Sequence, residues 1–184
     1  TTPSSATINI AAVNDAPVTS PVTLTATEDT AVTFTNAQLV GSSSDIDSST
    51  LTAVNVTATH GTIVDNGNGT WTFTPAADYN GVANLSFGVS DGQLTTPSSA
   101  TINIAAVNDA PVVTPVSYTI NEDNTLLITA NDLLTHASDV DNTAGQLSVT
   151  NVSYAGSNGT LVDNHNGTWT FTPTQDFNGN VQLS

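Results

Sequence analysis

The chain lacks lysine, arginine and cysteine altogether, although it carries sixteen Asp and Glu residues and a formal net charge of −16. Ion pairs with an ammonium or guanidinium group are therefore excluded. Nucleic acid and anionic membrane surfaces are excluded as partners, because neutralising phosphate needs Lys and Arg. Without cysteine there are no disulfides, thiolate metal sites or thiol nucleophiles. A hard divalent cation is the partner that remains for clustered carboxylates.

Apolar runs long enough to span a membrane are also missing, and no signal peptide is visible. Only 9% of the residues are charged and 38% are hydrophobic, so the composition supports a packed core and differs from that of an acidic disordered tail. The chain starts inside one repeat and stops inside the next. We therefore expect it to be a fragment of a longer protein.

The feature that organises the chain is an internal repeat. The string TTPSSATINIAAVNDAPV stands at residues 1–18 and again at 95–112, a spacing of 95 − 1 = 94 residues. This period is the size of a small domain and predicts tandem modules, with the Ala-Pro steps as stiff connectors between them. We predict the last strand and linker of a preceding repeat at 1–15, a complete repeat at 16–109, and a second repeat at 110–184 that is truncated before its final strands.

Period-two alternation predicts seven short strands in the complete repeat. A single helical turn is expected at 36–40, and the Asn-Gly-rich segment at 66–69 predicts a hairpin. Trp71 and Phe73 share one face, which we expect to be the core face. The sequence thus predicts an all-β fold of tandem seven-stranded Greek-key β-sandwiches, joined end to end by short linkers. The strands are expected at 22–28, 31–35, 51–59, 62–66, 70–75, 82–90 and 100–106.

The second repeat follows the same order. Glu122 and Asp123 match Glu28 and Asp29 at an offset of 94, and after the loop at 142–146 the offset grows to 98. Such an insertion is typical of a surface loop. The last residue, Ser184, matches Ser86, so the counterparts of most of the sixth strand and all of the seventh are missing from the sequence.

Acidic residues fall in loops that this topology brings to common ends of the sandwich. Asp45, Asp47 and Asp91 are expected at the upper end of the complete repeat, beside Asn14 and Asp15 of the entering connector. At the lower end, acids of one repeat are expected to meet those of the next. The residues expected at this junction are Glu28, Asp78, Asn108, Asp109, Asp139 and Asp141.

Acids gathered in this way need a counter-charge. Two like unit charges about 4 Å apart repel by roughly 4 kcal/mol at an effective dielectric near 20. Calcium is the predicted ion, because it takes carboxylate, amide and backbone oxygens in adaptable geometry, whereas magnesium prefers a strict octahedron. Zinc is disfavoured, because there is no Cys and the three histidines are widely separated.

The motifs also carry a resemblance. A Glu follows the first strand, S-D-x-D precedes the third, F-x-V-S-D-G ends the sixth, and V-N-D-A-P-V forms the exit. This order resembles a cadherin repeat, and more closely the cadherin-like tandem repeats of large bacterial adhesins exported by type I secretion. The resemblance implies calcium-loaded linkers and a cell-surface role. It assigns family positions to Glu28, Asp45, Asp47, Asp91, Asn108 and Asp109. The text A-D-Y-N-G around Asp78 has one acid fewer than the family pattern, and Ala106 stands where the family linker has an Asp.

Three functional hypotheses follow. The first is a calcium-stiffened extender of a secreted or surface-attached adhesin, which projects a distal binding domain for cell adhesion or biofilm formation and has adjacent repeats of its own chain as partners. The second is a subunit of an extracellular filament built by head-to-tail strand donation between copies. The third is a repeat that itself binds glycan or protein. Catalysis is not expected, because no nucleophile, basic group or pocket accompanies the acids. Asp65 and Asp163 precede hairpin turns, where we interpret them as turn residues.

Overall fold

The structure is a computed structural model that describes residues 3–184, and the chain divides into two compact units, Thr1–Val107 and Asn108–Ser184. We call these unit 1 and unit 2. The predicted all-β fold class is confirmed, since only short helices interrupt the strands. The elements of unit 1 are β1 (Val22–Thr27), β2 (Val32–Thr35), α1 (Asn36–Val40), β3 (Thr52–Ala58), β4 (Gly61–Asp65), β5 (Thr70–Pro75), β6 (Gly81–Ser90) and β7 (Thr95–Ala105).

Unit 1 contains all seven predicted strands, and β7 starts five residues earlier than the sequence indicated. They form a four-stranded sheet in the order β1-β7-β6-β3 and a three-stranded sheet in the order β2-β5-β4. Strand β1 pairs in parallel with β7, and β7 pairs with β6 along ten residues of each strand. The longest pairing in the larger sheet is therefore between its two central strands, β6 and β7.

The core of unit 1 lies between the inner faces of the two sheets. Trp71 and Phe73 of β5 are buried, as predicted, and the threonines that alternate with them, Thr70, Thr72 and Thr74, face outward. From the larger sheet, β6 buries every second residue and β7 contributes Ala100, Ile102 and Ile104. Alternating burial on strands of both sheets is the packing expected of a β-sandwich.

The helical turn α1 closes one side of this core. Its N-terminus carries a capping box, in which the Gln38 backbone N–H donates to Thr35 Oγ1 and the Thr35 backbone N–H donates to Gln38 Oε1. Leu39 is fully buried. The Asn36 side chain donates to the Leu51 carbonyl at 2.8 Å and accepts from the Ala53 N–H at 2.8 Å, so it ties the turn to the start of β3.

The elements of unit 2 are β8 (Val112–Val113), β9 (Leu126–Thr129), α2 (Ala130–Leu134), β10 (Ala137–Ser138), β11 (Gly159–Asp163) and β12 (Thr168–Pro173). Unit 2 repeats the smaller sheet in the order β11-β12-β9 and contains a two-stranded pair, β10-β8. The registers of β9, β11 and β12 match those of β2, β4 and β5, and Trp169 and Phe171 are buried like their counterparts. A short 3-10 helix lies at Ala144–Gln146, inside the predicted inserted loop.

The larger sheet is not formed in unit 2, contrary to the expectation that the second repeat follows the same strand order. Residues 116–121 and 179–184, the counterparts of β1 and of the first part of β6, carry no strand. In unit 1 the strand β1 pairs with β7, and among residues 108–184 no strand takes the β7 position. Residues 116–121 therefore have no paired strand beside them, unlike β1.

The strand predicted at residues 1–13 is also not observed. Residues 1 and 2 lie outside the described residues, and residues 3–17 form no strand. Ile8 and Ile10 are 83% and 91% exposed. The alternating pattern is present, but the backbone in this segment has no neighbouring strand to pair with.

A substitution of Gly61, at the start of β4, tests how closely the smaller sheet is packed. A Cβ at Gly61 would lie 2.5 Å from the Thr74 carbonyl oxygen and 2.7 Å from the Phe73 ring. We expect Gly61→Ala to lower the free energy of unfolding of unit 1 by about 1–3 kcal/mol, because the buried ring and the paired strand must shift. Urea unfolding followed by Trp71 fluorescence in a Trp169→Phe background measures this change.

The control is Gly145→Ala, whose Cβ meets open space. It should change stability by less than about 0.5 kcal/mol. Equal midpoints for Gly61→Ala and the parent chain would show that β4 and β5 are less closely packed than the structure describes.

Candidate metal centre

The upper end of unit 1 brings together acids from three separate segments. Asn14 and Asp15 enter from the connector, Asp45 and Asp47 lie in the loop after α1, and Asp91 follows β6. The Asn14 side chain donates to Asp91 Oδ2 at 2.7 Å, and the Asp15 backbone N–H donates to Asp47 Oδ2 at 2.8 Å. These five residues are the upper cluster of unit 1, and the structure places all five predicted upper-end residues in it.

Within the D-x-D loop the two oxygens of Asp45 have different environments. Oδ1 accepts the backbone N–H groups of Asp47 and Ser48, both at 2.8 Å. Oδ2 is buried and has no hydrogen-bond partner among residues 3–184. The loop thus fixes the carboxylate with one oxygen and leaves the other without a donor.

Unit 2 has the same connector and D-x-D arrangement at its own upper end, without a counterpart of Asp91 among residues 108–184. The Asp109 backbone N–H donates to Asp141 Oδ2 at 2.7 Å. Asp139 Oδ1 accepts the N–H groups of Asp141 at 2.9 Å and Asn142 at 2.8 Å, while Asp139 Oδ2 is buried without a partner in the described part of the chain. The Asn142 side-chain amide donates a long hydrogen bond of 3.5 Å to Asn108 Oδ1. The upper cluster of unit 2 consists of Asn108, Asp109, Asp139, Asp141 and Asn142.

Hydrogen bonds hold two of these acids in the charged form. The Asn14 side chain, followed by the backbone N–H groups of Leu94 and Gln93, holds the pKa of Asp91 below its ordinary value of 3.8. Burial alone raises the pKa of Asp139, but the Asn142 side chain and the backbone N–H groups of Asn142 and Asp141 outweigh it and leave the pKa lowered. Both carboxylates are therefore ionised at neutral pH.

A second group of polar residues lies at the lower end of unit 1. Glu28 is only 1% exposed, and it accepts the Val107 backbone N–H at 2.6 Å and the Asn80 side chain at 3.1 Å. Beside it, Asp29 Oδ1 accepts the Asp78 N–H at 3.1 Å. Asp29 and Asp78 both have positive φ, 58° and 55°, a conformation that Asp tolerates better than most residues. We call this group the lower cluster.

Only part of the lower cluster recurs in unit 2. The Asp176 N–H donates to Asp123 Oδ1 at 2.9 Å, as in unit 1. Glu122, the counterpart of Glu28, is exposed. Among residues 108–184, no strand takes the place of the β7 end that covers Glu28 in unit 1.

The donors present fit a hard cation. The upper clusters offer carboxylate oxygens and amide carbonyl oxygens, the ligands that Ca²⁺ takes in groups of about six to eight at about 2.3–2.6 Å. The buried Oδ2 atoms of Asp45 and Asp139 are held in place and have no hydrogen-bond donor within residues 3–184. A bound ion would supply the positive charge that no Lys or Arg provides, and would hold connector and loop together.

The predicted junction residues divide between the two units. Glu28 and Asp78 lie in the lower cluster of unit 1, whereas the other four predicted residues lie in the upper cluster of unit 2. That these two halves share ions stays a prediction. The four in unit 2 are Asn108, Asp109, Asp139 and Asp141.

Sequence reasoning missed two amides that orient the acids. Asn80 donates to Glu28, and Asn142 donates to Asp139 at 3.1 Å. The signal for Asn80 was present, because D-Y-N-G in unit 1 recurs as D-F-N-G in unit 2. Asn142 had no such signal, since Ser48 occupies its position in unit 1.

The interpretation of Asp65 and Asp163 as turn residues agrees with the structure. Asp65 Oδ1 accepts the Gly67 N–H at 2.8 Å, and Asp163 Oδ1 accepts the His165 N–H at 2.7 Å. Both are exposed and stand at the last residue of the strand that enters the hairpin turn, and the hydrogen bonds that they accept lie within that turn.

Comparison with known proteins shows the family. The model of the cadherin-like domain matches residues 13–105 and again residues 107–184. The chain therefore belongs to the cadherin-like domain family and consists of tandem cadherin-like β-sandwich repeats. Such domains are typically extracellular repeats of the adhesion type and typically bind calcium. Within residues 3–184, no helix is long and apolar enough to cross a membrane.

Other comparisons are distant. A search of curated proteins gave no match. Among solved structures, an endo-fucoidan hydrolase of glycoside hydrolase family 107 is 19% identical with a TM-score of 0.37, over 87% of this chain and 24% of that one. The titin domains z1z2 in complex with telethonin are 12% identical with a TM-score of 0.30, over 90% of this chain and 85% of that one. The chain spans about a quarter of the length of the hydrolase that it matches.

The Asn14–Asp91 hydrogen bond predicts a measurable pKa change. Since the folded-state pKa of Asp91 lies below 3.8, its charged form stabilises unit 1 above that pH, and this contribution is lost as the pH falls through the lowered pKa. Asn14→Ala removes the largest cause of the shift, so the pKa of Asp91 should rise towards 3.8. A carboxyl ¹³C NMR titration of the calcium-free protein measures it.

Asn108→Ala is the matched control, because Asn108 holds the same position in the connector before unit 2. It should leave the titration of Asp91 unchanged. An Asp91 pKa that moves equally in both variants would contradict the assigned hydrogen bond.

Proposed function

We propose that each unit binds Ca²⁺ at its upper cluster, and that the chain is a calcium-stiffened extender repeat of a long adhesin, secreted by a type I route and held at or near the cell surface. In this role it projects a distal binding domain for adhesion or biofilm formation. The observation that carries the proposal is the Oδ2 atom of Asp45, and again of Asp139, which is buried and has no hydrogen-bond partner in the part of the chain that the structure describes.

The recurrence of this atom is informative because the two loops differ in sequence. Asp45 lies in D-I-D-S and Asp139 in D-V-D-N, yet both fix Oδ1 with two backbone N–H groups and leave Oδ2 buried. A buried anionic oxygen without a hydrogen-bond donor is unfavourable, because the charge loses its contact with water and gains no compensating partner. With no Lys or Arg in the chain, a metal cation is the compensation that the chemistry supports.

We expect the ion to stiffen the connector, because the candidate ligands come both from the connector and from the body of unit 1. Asp15 belongs to the connector, whereas Asp45 and Asp47 belong to the body of unit 1, and the Asp15 N–H is already bonded to Asp47. An ion held by residues of both would restrict rotation of the connector about the sandwich. Extracellular modules bind calcium at about 10⁻⁴ to 10⁻³ M, so such a connector would be flexible in the cytosol and stiff outside.

This role is structural and not catalytic. The upper and lower clusters contain acids and amides, and among the described residues neither includes a nucleophile with an adjacent base. Adjacent repeats of the same chain are the proposed partners.

Calorimetric melting with and without calcium tests the site. Calcium should raise the Tm of the parent chain, because binding to the folded state at about 100 times Kd contributes about 2.7 kcal/mol. Asp45→Asn combined with Asp139→Asn should weaken calcium binding by more than about tenfold, because it removes the charge of a ligand, and losing even a group that only supports a ligand typically costs about 10- to 100-fold. Titration calorimetry measures the affinity directly.

Asp65→Asn combined with Asp163→Asn is the matched control, since it makes the same change in charge at two turn residues. This control should keep the calcium response of the parent chain. A parent chain whose Tm is the same in calcium and in chelator would refute the proposed site.

Small-angle scattering tests stiffening separately from binding. A single sandwich with strands of about ten residues at about 3.3 Å each is roughly 35–45 Å long with its loops. With calcium we expect a longer maximum dimension and a narrower distance distribution, and with chelator a shorter and broader one. The Asp45→Asn, Asp139→Asn chain should not respond to chelator. The same maximum dimension for the parent chain in both conditions would leave a calcium site without a stiffening role.

A further inference from the structure

The hairpin turn between β4 and β5 contains a chain of side-chain hydrogen bonds outside the acidic clusters. The Asn66 side-chain amide donates to Thr70 Oγ1 at 2.9 Å, and the Thr70 hydroxyl donates to Asn68 Oδ1 at 2.7 Å. Asn66 and Asn68 are exposed, and Thr70 is half-buried at the start of β5. A hydroxyl has a single proton, so the bond that Thr70 accepts leaves this proton for the bond to Asn68.

The hairpin turn between β11 and β12 in unit 2 repeats this chain of bonds. The Asn164 side-chain amide donates to Thr168 Oγ1 at 2.9 Å, and the Thr168 hydroxyl donates to Asn166 Oδ1 at 2.7 Å. The residue between the two asparagines differs, since it is Gly67 in unit 1 and His165 in unit 2. The arrangement therefore follows from the pattern N-x-N-G-T that both turns share.

The second Asn of each turn precedes a glycine with open space around it. A Cβ at Gly69 would meet nothing within 4 Å, and a Cβ at Gly167 would meet only the Ala130 Cβ, at 3.9 Å. Among residues 3–184, neither glycine N–H donates a hydrogen bond. The backbone nitrogen that follows each of these asparagines is thus neither shielded nor engaged.

An Asn side chain can cyclise with the backbone nitrogen of the next residue, which is held beside it by the chain itself. The nitrogen attacks the side-chain carbonyl carbon Cγ, so that the N–Cγ bond forms and the Cγ–Nδ2 bond breaks. The amide group leaves as ammonia and takes the N–H proton with it. Water then opens the cyclic imide to Asp or isoaspartate, and no oxidant or reductant is needed. The chain contains no Lys amine or Cys thiol that could open the ring in place of water.

The threonine hydroxyl lies where negative charge develops in this reaction. As the Gly69 nitrogen adds to Cγ, charge accumulates on Asn68 Oδ1, to which Thr70 already donates at 2.7 Å. A donor oriented in advance towards a developing oxyanion stabilises the transition state. We propose that the two turns promote ring closure at Asn68 and Asn166, which makes these residues self-catalysed deamidation sites.

Asn66 also precedes a glycine, but its side chain is held differently. Its amide nitrogen donates to both Thr70 and Thr72, and its Oδ1 accepts only a longer bond, 3.3 Å, from Thr72. The Gly67 N–H, which would have to attack, donates to Asp65 Oδ1 at 2.8 Å. The amide and the attacking nitrogen of Asn66 are both engaged, so ring closure should be slow there. The turn thus contains its own reference site.

Reaction at the two sites adds negative charge to the exposed tips and leaves the core unchanged. Each event creates one carboxylate, so the formal net charge falls from −16 to −16 − 2 = −18 when both sites have reacted. The Gly69 carbonyl accepts the Asn36 N–H at 2.9 Å, and the Gly167 carbonyl accepts the Ala130 N–H at 2.8 Å. The modified turns therefore contact the first residue of α1 and of α2.

The rate of deamidation at each asparagine tests the proposal. The folded 184-residue chain is incubated at neutral pH, and peptic peptides are analysed by fragmentation mass spectrometry, which locates the replacement of NH by O. We expect Asn68 and Asn166 to react at least about fivefold faster than Asn66, the factor that corresponds to one hydrogen bond of ordinary net strength. The rates should be the same in calcium and in chelator, so the result does not depend on the proposed function.

The unfolded chain is the first control. In urea above the unfolding midpoint, Asn66, Asn68 and Asn166 should react at similar rates, because each is then an Asn-Gly pair without a fixed hydroxyl donor. A preference for Asn68 over Asn66 that persists in urea would come from local sequence alone and would overturn the proposal.

Substitution of the hydroxyl tests its role directly. Thr70→Val keeps the shape of the side chain and should slow Asn68 by about fivefold. Thr70→Ser retains the hydroxyl and should restore the rate. Asn166 in the other unit of the same molecule is the internal control and should keep its rate in both variants. Thr72→Val is the matched control, because the Thr72 hydroxyl bonds to Asn66 and not to Asn68.

The sign of the Thr70→Val effect decides between promotion and protection. A hydroxyl that merely holds the Asn68 side chain in place would protect it, and its removal would then raise the rate. A rate at Asn68 that is raised or unchanged by Thr70→Val would overturn the proposal. Equal rates at Asn66 and Asn68 in the folded parent chain would overturn it as well.

Discussion

Sixteen carboxylates without a single Lys or Arg are the constraint on which the rest of this structure depends. A carboxylate drawn into a loop or core must accept hydrogen bonds from N–H groups or contact a cation, because burying an unpaired charge is costly. The chain meets this requirement chiefly with backbone N–H groups. Asp45, Asp91 and Asp139 each accept two of them with one oxygen.

What differs between the acids is the second oxygen. Asp65 and Asp163 also accept a backbone N–H, but they do so in exposed hairpin turns, where solvent reaches the rest of the carboxylate. In Asp45 and Asp139 the second carboxylate oxygen, Oδ2, is buried. The same local device, an Asp that accepts N–H groups two or three residues on, thus serves both a turn and a candidate ligand. The packing around the loop decides whether the second oxygen of such an Asp is exposed, as in a turn, or buried, as in a candidate ligand.

Local patterns predicted most of the fold, and long-range contacts account for what they missed. Alternation located the strands of unit 1 and the inward faces of Trp71 and Phe73, because period two is a property of each strand alone. The D-x-D loops could also be identified from the sequence, because each is a short local motif. The burial of Glu28 could not, because its partners are Val107 and Asn80, distant in sequence.

The two copies of one string show how far such long-range contacts decide structure. Residues 97–105 are a strand because β1 and β6 flank them, while the identical residues 3–11 form none. Glu28 follows the same rule, since its N–H donates to the Ala105 carbonyl at 3.0 Å and its carboxylate accepts the Val107 N–H. Its counterpart Glu122 has no such strand end and is exposed. Occupation of the β7 position therefore completes both the larger sheet and the lower acidic cluster, so the two form together.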